Sequence, residues 1–513
     1  MKRFFSVILS VILILSLLAG CGGSGSEQAS GSNTDGVFAV GYGKADISPE
    51  QPVYLRGYGN LYEERTSTGV AERLYATVVA IQDATGNKVL LISLDLLGCD
   101  TGVMRPIRKQ IAEATGLPYD NVMVSCSHSH TGPDMGDFAY RELLAERMLQ
   151  ASQEALANVK PATMEITFCR PEGMNFNRHY LLIDGTYQGE AVGKVPRDQV
   201  YGHYAKADNL LQMVRFNREG DKPVMLVNWQ GHPMGPEPNT ITTATSNVAG
   251  MLRETVEAGL DCYTSYFLGG SGNANNSSQI DAEERCKTYI EAGKTLGEEI
   301  IKVADTFEQV ETGDIQIEIG YLNTSGVEDT AGAPYYAMSF GDVAFAFAPN
   351  EIFDTNAMAV KENSKFKMTF YASCSNESYG YLPTDPSFDW VHHYEVRITK
   401  YPKGTALVVQ NMLSTMLDKC FEASGNVEAP KREGYVRGEF VPTSNGVVYT
   451  NPAAGDTTAY TKVENGFCQF VMLEGTTVKR FLALNEEVVK EVLMETTAKL
   501  LVNEQNVVVG VEK

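Results

Sequence analysis

Six short apolar runs constrain the fold of this chain more than any other feature: residues 89–97, 121–125, 224–229, 263–268, 343–348 and 368–372. Each is too short for an ordinary helix and is rich in Val, Ile, Phe, Tyr or Met, which predicts strands buried on both faces. Residues 138–158, 282–307, 403–422 and 486–502 carry helical patterning instead. The expectation is a mixed α/β fold, with β-sheets flanked by helices over residues 37–423. Beyond about Ser424 the chain becomes punctuated by Pro and Gly and strand-like, ending in one helix and a valine-rich strand. Residues 424–513 therefore read as a small β-rich C-terminal domain or cap.

The residues just past these apolar runs are chemically specific. Run 121–125 leads into Cys126-Ser127-His128-Ser129-His130-Thr131-Gly132-Pro133, holding two of the chain's seven histidines. In an extended segment alternate residues point the same way, so His128 and His130 address one space, an arrangement that suits a metal. Two polar residues opening a loop is the plainer account of the same residues. Gln230-Gly231-His232-Pro233 comes after 224–229, Pro349-Asn350-Glu351 after 343–348, and Glu377-Ser378-Tyr379-Gly380-Tyr381-Leu382-Pro383 after 368–372. Open α/β sheets assemble their sites just past the carboxyl ends of strands, and four such segments coincide here.

The N-terminus has its own logic. Lys2 and Arg3 precede an apolar run from Phe4 to Leu18, then Leu18-Ala19-Gly20-Cys21 and a Gly- and Ser-rich stretch. This predicts a lipoprotein signal over residues 1–20, with Cys21 lipidated as the first mature residue. A spanning helix needs a longer run. Residues 21–36 would be a flexible tether reaching roughly 20 Å, and the body would lie outside the cytoplasmic membrane of a bacterial cell, held by lipid alone. The formal net charge of −22 argues against nucleic acid as a partner and gives no electrostatic reason to bind anionic lipid. The eight other cysteines are scattered without a Cys-x-x-Cys pair, so a thiolate zinc site is not expected, and any disulfide pairing stays open.

The order of these segments resembles the neutral, non-lysosomal ceramidase family, zinc-dependent amidases that split N-acyl sphingosine. Val40-Gly41-Tyr42-Gly43-Lys44-Ala45-Asp46-Ile47-Ser48-Pro49 is similar to its N-terminal Gly-x-Gly-x-Ala-Asp-Ile-Thr signature. Leu91-Ile92-Ser93-Leu94-Asp95 resembles its first core strand, and Ser127-His128-Ser129-His130-Thr131-Gly132-Pro133 its Thr-His-Thr-His-Ser-Gly-Pro motif. The resemblance runs from about residue 39 to 400 and implies one zinc per chain, held by His128, His232, Glu351 and Tyr381. Tyr381 is preferred over Tyr379 because Leu-Pro-Thr comes after it. His130 and Arg178, the latter in Asn177-Arg178, match residues that line the family's site.

Two imidazoles and a carboxylate form a common hydrolytic zinc set that leaves room for a water whose pKa falls to about 7. Arg178, His130 and a tyrosine hydroxyl are suitable donors to a developing oxyanion, and His130 is alternatively a proton shuttle to the leaving amine. Asp95 reads either as an acceptor for an imidazole N–H or as a buried structural aspartate.

Two departures bear on the substrate. Where ceramidases carry a serine, in Gly-Asn-Leu-Ser-Pro-Asn or Gly-Asp-Val-Ser-Pro-Asn, this chain has Gly272-Asn273-Ala274-Asn275-Asn276-Ser277, so Asn275 takes the catalytic serine's position, with Ser271, Ser277 and Ser278 out of register. Ser246-Asn247 stands where relatives show Ser-x-Asp or Ser-Ala-Asp. The reading is a zinc-dependent hydrolase of an amide in an N-acylated, ceramide-like small-molecule or lipid substrate. The alternatives are a lipoprotein that keeps the fold but binds a lipid or solute, and a metal-dependent esterase or phosphoesterase in which His128 and His130 serve two metals.

Overall fold

The strand Tyr75–Gln82 sorts its side chains onto two different cores, and that alternation defines the architecture. Ala76, Val78 and Ala80 point to one core, Val79 and Ile81 to the other. Its neighbour Lys88–Leu94 does the same, with Leu90, Ile92 and Leu94 on one side and Val89 and Leu91 on the other. A strand buried on both faces contributes about 1.5–3 kcal/mol for each large apolar side chain, which is why these runs read as continuous apolar segments.

The computed structural model describes residues 34, 36–58, 65–189, 197–233, 241–276, 286–323, 332–390 and 393–512. The expected leader over 1–20, Cys21 and all of the tether but Thr34 and Gly36 lie outside them. Among the described residues no helix is long and apolar enough to cross a membrane.

The larger sheet runs, edge to edge, Tyr263–Leu268, Val224–Trp229, Leu211–Arg218, Lys160–Cys169, Ala39–Asp46, Tyr75–Gln82, Lys88–Leu94 and Val122–Cys126. Helices Thr101–Thr115, Phe138–Ala157, Asn247–Leu260 and Tyr289–Lys302 cover one face. The other face packs on a second sheet, Ile315–Leu322, Ala333–Phe340, Val343–Phe347 and Met368–Ala372, through Met123, Phe216, Phe267, Phe340 and Phe345. Helices Asp354–Asn363 and Thr405–Ser424 close the far side of that sheet. The order is helix, sheet, sheet, helix, a mixed α/β fold as expected.

All six predicted strands are present, within a few residues at their ends. The glycines of the N-terminal signature have a packing reason. A Cβ on Gly41 would stand 1.9 Å from the Ala155 carbonyl oxygen, and one on Gly43 2.0 Å from that of Ala151, so helix Phe138–Ala157 lies directly on this strand's backbone.

Two helices are shorter than the pattern predicts. The helix expected over 282–307 is Tyr289–Lys302 in the described residues, opened by a reciprocal cap between Thr288 and Glu291 and succeeded by the strand Glu308–Val310. The one expected over 486–502 stops at Met494, because Thr497–Ala498 and Leu500–Val502 pair into a sheet. β-Branched Thr496 and Thr497 start that switch.

Beyond Ser424 the strands of residues 449–511 form a seven-stranded sheet around helix Glu486–Met494, with its own core of Phe470, Met472, Val489, Val492 and Val508. On the way there the chain crosses the two-sheet body. Tyr435, 1% exposed, accepts from Gln212 Nε2 (2.9 Å) in the larger sheet and from the Thr369 amide (3.0 Å) in the smaller.

Candidate metal centre

Strand Val122–Cys126 ends two residues before His128, whose backbone turns into the left-handed region at φ 65°. That conformation is uncommon for a residue with a Cβ and marks a built site. The turn, and not strand alternation, brings His128 beside His130. Their ring centroids lie 4.8 Å apart, and His232 from the end of strand Val224–Trp229 stands 4.5 Å from His128 and 4.8 Å from His130. The three rings are close to mutually perpendicular, at 72°, 86° and 75°. The rings do not stack, and one nitrogen from each lies within 4.8 Å of the other two.

Second contacts fix the tautomers. A carbonyl oxygen only accepts, so His128 Nδ1–H donates to Leu97 O at 2.6 Å and turns Nε2 into the site. His232 Nδ1 likewise meets Ser271 O at 3.2 Å, turning its Nε2 to His130 Nε2 at 3.0 Å. Glu351, beyond strand Val343–Phe347, brings Oε2 to 3.2 Å from His128 Nε2. Both of those atoms are buried and lack any hydrogen-bond partner. A small cavity of about 130 Å³ lined by His128, Glu351, Cys374 and Ser378 opens against them.

Electrostatics favour a positive charge there. Burial works to lower the His128 pKa, but the Glu351 carboxylate overrides it and holds the value well above the ordinary one. Burial would raise Glu351, but His128 and a Tyr381 hydrogen bond pull it down. Burial, then His128 and Arg178, push His130 well below its usual range, and His232 falls for the same leading reason. One carboxylate beside three imidazoles whose nitrogens converge within 4.8 Å, with a carboxylate oxygen and a ring nitrogen left unpartnered, is a donor set that fits zinc.

Tyr381 pairs in parallel register with Glu351, and Arg178 lies 5.5 Å from its ring centroid. Tyr379 points elsewhere, donating to Glu377 Oε2 at 2.9 Å. Asn275 sits in a two-residue strand paired with Phe176, bridged to His232. The site thus gathers His128, His130, Arg178, His232, Asn275, Glu351 and Tyr381 from segments spread over 250 residues of chain.

Residues 38–276 match the family model described as neutral/alkaline non-lysosomal ceramidase, N-terminal. That stretch, somewhat under half of the chain, is similar to the ceramidase family. The neutral ceramidase of Drosophila pseudoobscura pseudoobscura is 30% identical over 128 residues, 24% of this chain and 17% of that protein. The neutral ceramidase of Drosophila melanogaster is 31% identical over 100 residues, 19% and 14% of the two. The matched stretches therefore span less than a fifth of these relatives. Two solved structures share the fold: a ceramidase complexed with C2, with a TM-score of 0.61 at 13% identity over 87% of this chain and 93% of that one, and the neutral ceramidase from Pseudomonas aeruginosa, with 0.61 and 13% over 87% and 92%.

Within this ceramidase-like fold Asp95 is not an acceptor for imidazole. Its carboxylate takes Arg253 Nη1 at 3.1 Å and Nη2 at 2.6 Å, both side chains being buried, and the Tyr75 amide at 2.9 Å. The peptide oxygens of Leu97 and Ser271 hold the imidazoles instead. Ser271 is buried beside His232 with its Oγ unpartnered, whereas Ser277 and Ser278 lie outside the described residues. Ser246 stands at the N-cap position of helix Asn247–Leu260 but makes no side-chain cap hydrogen bond, its Oγ being buried and unpartnered.

Sequence reading missed a second cluster behind Arg178: His179, His393 and Glu395, all buried. The usable signal was the scarcity of histidine, because five of the seven fall in the two clusters. It also missed Arg65, whose Nη2 donates to the His130 carbonyl at 2.7 Å, and Tyr58, edge-on to the His130 ring at 5.1 Å.

Proposed function

We propose that this protein is a zinc-dependent hydrolase of the amide bond in an N-acylated, ceramide-like substrate. The observation that carries the reading is the buried, unpartnered pair of His128 Nε2 and Glu351 Oε2 at 3.2 Å, with His232 beside it. His128, His232 and Glu351 would hold one zinc, with Tyr381 as a fourth ligand or as a donor to substrate. Zinc bound there supplies a Lewis acid for the carbonyl and lowers the pKa of water.

The protein's own groups account for the rest of the reaction. Arg178, kept cationic by Glu395, donates to the carbonyl oxygen as negative charge gathers on it. Burial and the neighbouring cations keep His130 neutral, so it can hand a proton to the departing nitrogen. Water adds across the C–N bond, giving a carboxylic acid and an amine. Asn275, alongside His232, offers an amide group to the substrate where a serine hydroxyl would otherwise stand. The anchoring of Cys21 by lipid, with the protein outside the cell membrane, belongs to the same proposal and rests on the N-terminal sequence.

The test is release of fatty acid from a panel of N-acyl substrates and matched esters, including ceramide, by wild type and Glu351→Ala. The reading expects amide turnover by wild type and none by the variant. Equal turnover by both would overturn it.

A further inference from the structure

Arg178 is held from behind by a carboxylate that solvent does not reach. Glu395, fully buried in the short helix Tyr394–Ile398, accepts from Arg178 Nε at 2.6 Å on Oε1, and Nη2 lies 2.5 Å from the same oxygen as an ion pair. Two imidazoles flank that carboxylate, His179 Nε2 at 3.5 Å from Oε1 and His393 Nδ1 at 3.2 Å from Oε2. His179 is boxed in by Trp390, Phe353 and His393, with ring centroids 5.2, 5.1 and 4.7 Å away. On its other side Arg178 lies 5.5 Å from the ring centroid of Tyr381, which pairs in register with Glu351.

Two histidines and a glutamate at such distances resemble a cation site, but the contacts argue against one. Arg178 Nε already occupies Oε1. His393 Nδ1 is spent as well, accepting from the Val396 amide at 3.1 Å. Burial, and then the neighbouring His179, hold His393 down to about 3, so it stays neutral beside the carboxylate. Arg178 is the guanidinium that the Glu395 carboxylate faces at hydrogen-bond distance.

We propose that Glu395 is a positioning residue for amide hydrolysis: seated between His179 and His393, it fixes the Arg178 guanidinium against Tyr381 so that its free edge meets the scissile carbonyl. The proposal rests on the functional reading above. It makes Glu395 act only through Arg178.

The experiment is a double-mutant cycle on the N-acyl substrate that wild type turns over best. It uses Glu395→Gln, Arg178→Ala, the double variant and the Glu351→Ala control, with zinc content and melting temperature measured for each. Glu395→Gln should lower kcat by about 10- to 100-fold with KM little changed, and that loss should vanish in the Arg178→Ala background. Added guanidinium should restore part of the Arg178→Ala activity while Glu395 is present and none when it is Gln. If Glu395→Gln folds poorly, Glu395→Asp with the same rescue assay reads the same coupling. Multiplying losses in the double variant, or loss of a second metal equivalent from Glu395→Gln, would overturn the positioning role while an inactive Glu351→Ala leaves the hydrolase reading standing. An active Glu351→Ala would overturn both.

Discussion

His128 Nε2 and Glu351 Oε2 lie 3.2 Å apart, and each is buried with no other hydrogen-bond partner. One cation between them satisfies both. Purified protein should therefore carry about one zinc per chain. His128→Ala, His232→Ala and Glu351→Ala should each lower the stoichiometry by at least about tenfold, measured by elemental analysis after dialysis. Chelation should lower the melting temperature of wild type and leave Glu351→Ala unmoved.

Asn275 tunes substrate choice if it lies where the acyl amide binds. Asn275→Ser should raise the rate on ceramide relative to the best N-acyl substrate by several-fold, on the order of the 1 kcal/mol that one hydrogen bond contributes. An unchanged ratio would assign discrimination to pocket shape.

The Asp95–Arg253 pair is structural, so stability and metal content should separate. Arg253→Met should cost about 3–5 kcal/mol, because it leaves a buried carboxylate unpaired. Zinc content of the surviving folded fraction should match wild type. A drop would mean that Asp95 acts on the metal site after all.

Lys431 gives a pH signature. Its Nζ donates to the Phe366 carbonyl at 2.6 Å and lies 5.0 Å from the Tyr435 ring centroid, and burial pulls its pKa down to about 8. The unfolded value is near 10.5, so between pH 8 and 10.5 the unfolded chain binds more protons and stability rises with pH. The penalty is fully present below pH 8. Denaturant unfolding of wild type minus Lys431→Met should show wild type gaining about 1–3 kcal/mol across that window. A flat difference would show that the ammonium stays solvated.

A methyl group on Gly41 would be 1.9 Å from the Ala155 carbonyl oxygen. Gly41→Ala should cost about 1–3 kcal/mol, seen as a lower midpoint in denaturant, because the helix has to lift off the strand.

The parts of this fold that could be read from sequence are those whose environment is uniform. Val343–Phe347 is apolar throughout because a sheet covers one face and helices the other. Ala39–Asp46 escapes the same reading, since its Gly-Tyr-Gly resembles a turn until the helix lying on its backbone is seen. Helix Thr101–Thr115 is masked by Gly102 and Pro106 in its first turns, and Asn247–Leu260 by an Asn start at φ 53°. Of the site, His128, His130, His232 and Glu351 could be named because each comes just after a legible strand. Glu395 and His179 have no such strand before them, and their nearness to Arg178 depends on how residues 385–398 fold over the sheet ends.

The left-handed backbone at His128 limits what can be transplanted. A His-x-His written at the end of an arbitrary strand would set its two rings side by side on one face, roughly 7 Å apart along the chain, without the perpendicular set found here. Any graft of this centre must carry the Leu97 carbonyl and the reversal at residue 128 along with the two imidazoles, so the smallest transferable unit is a pair of adjacent strand ends and not a tripeptide.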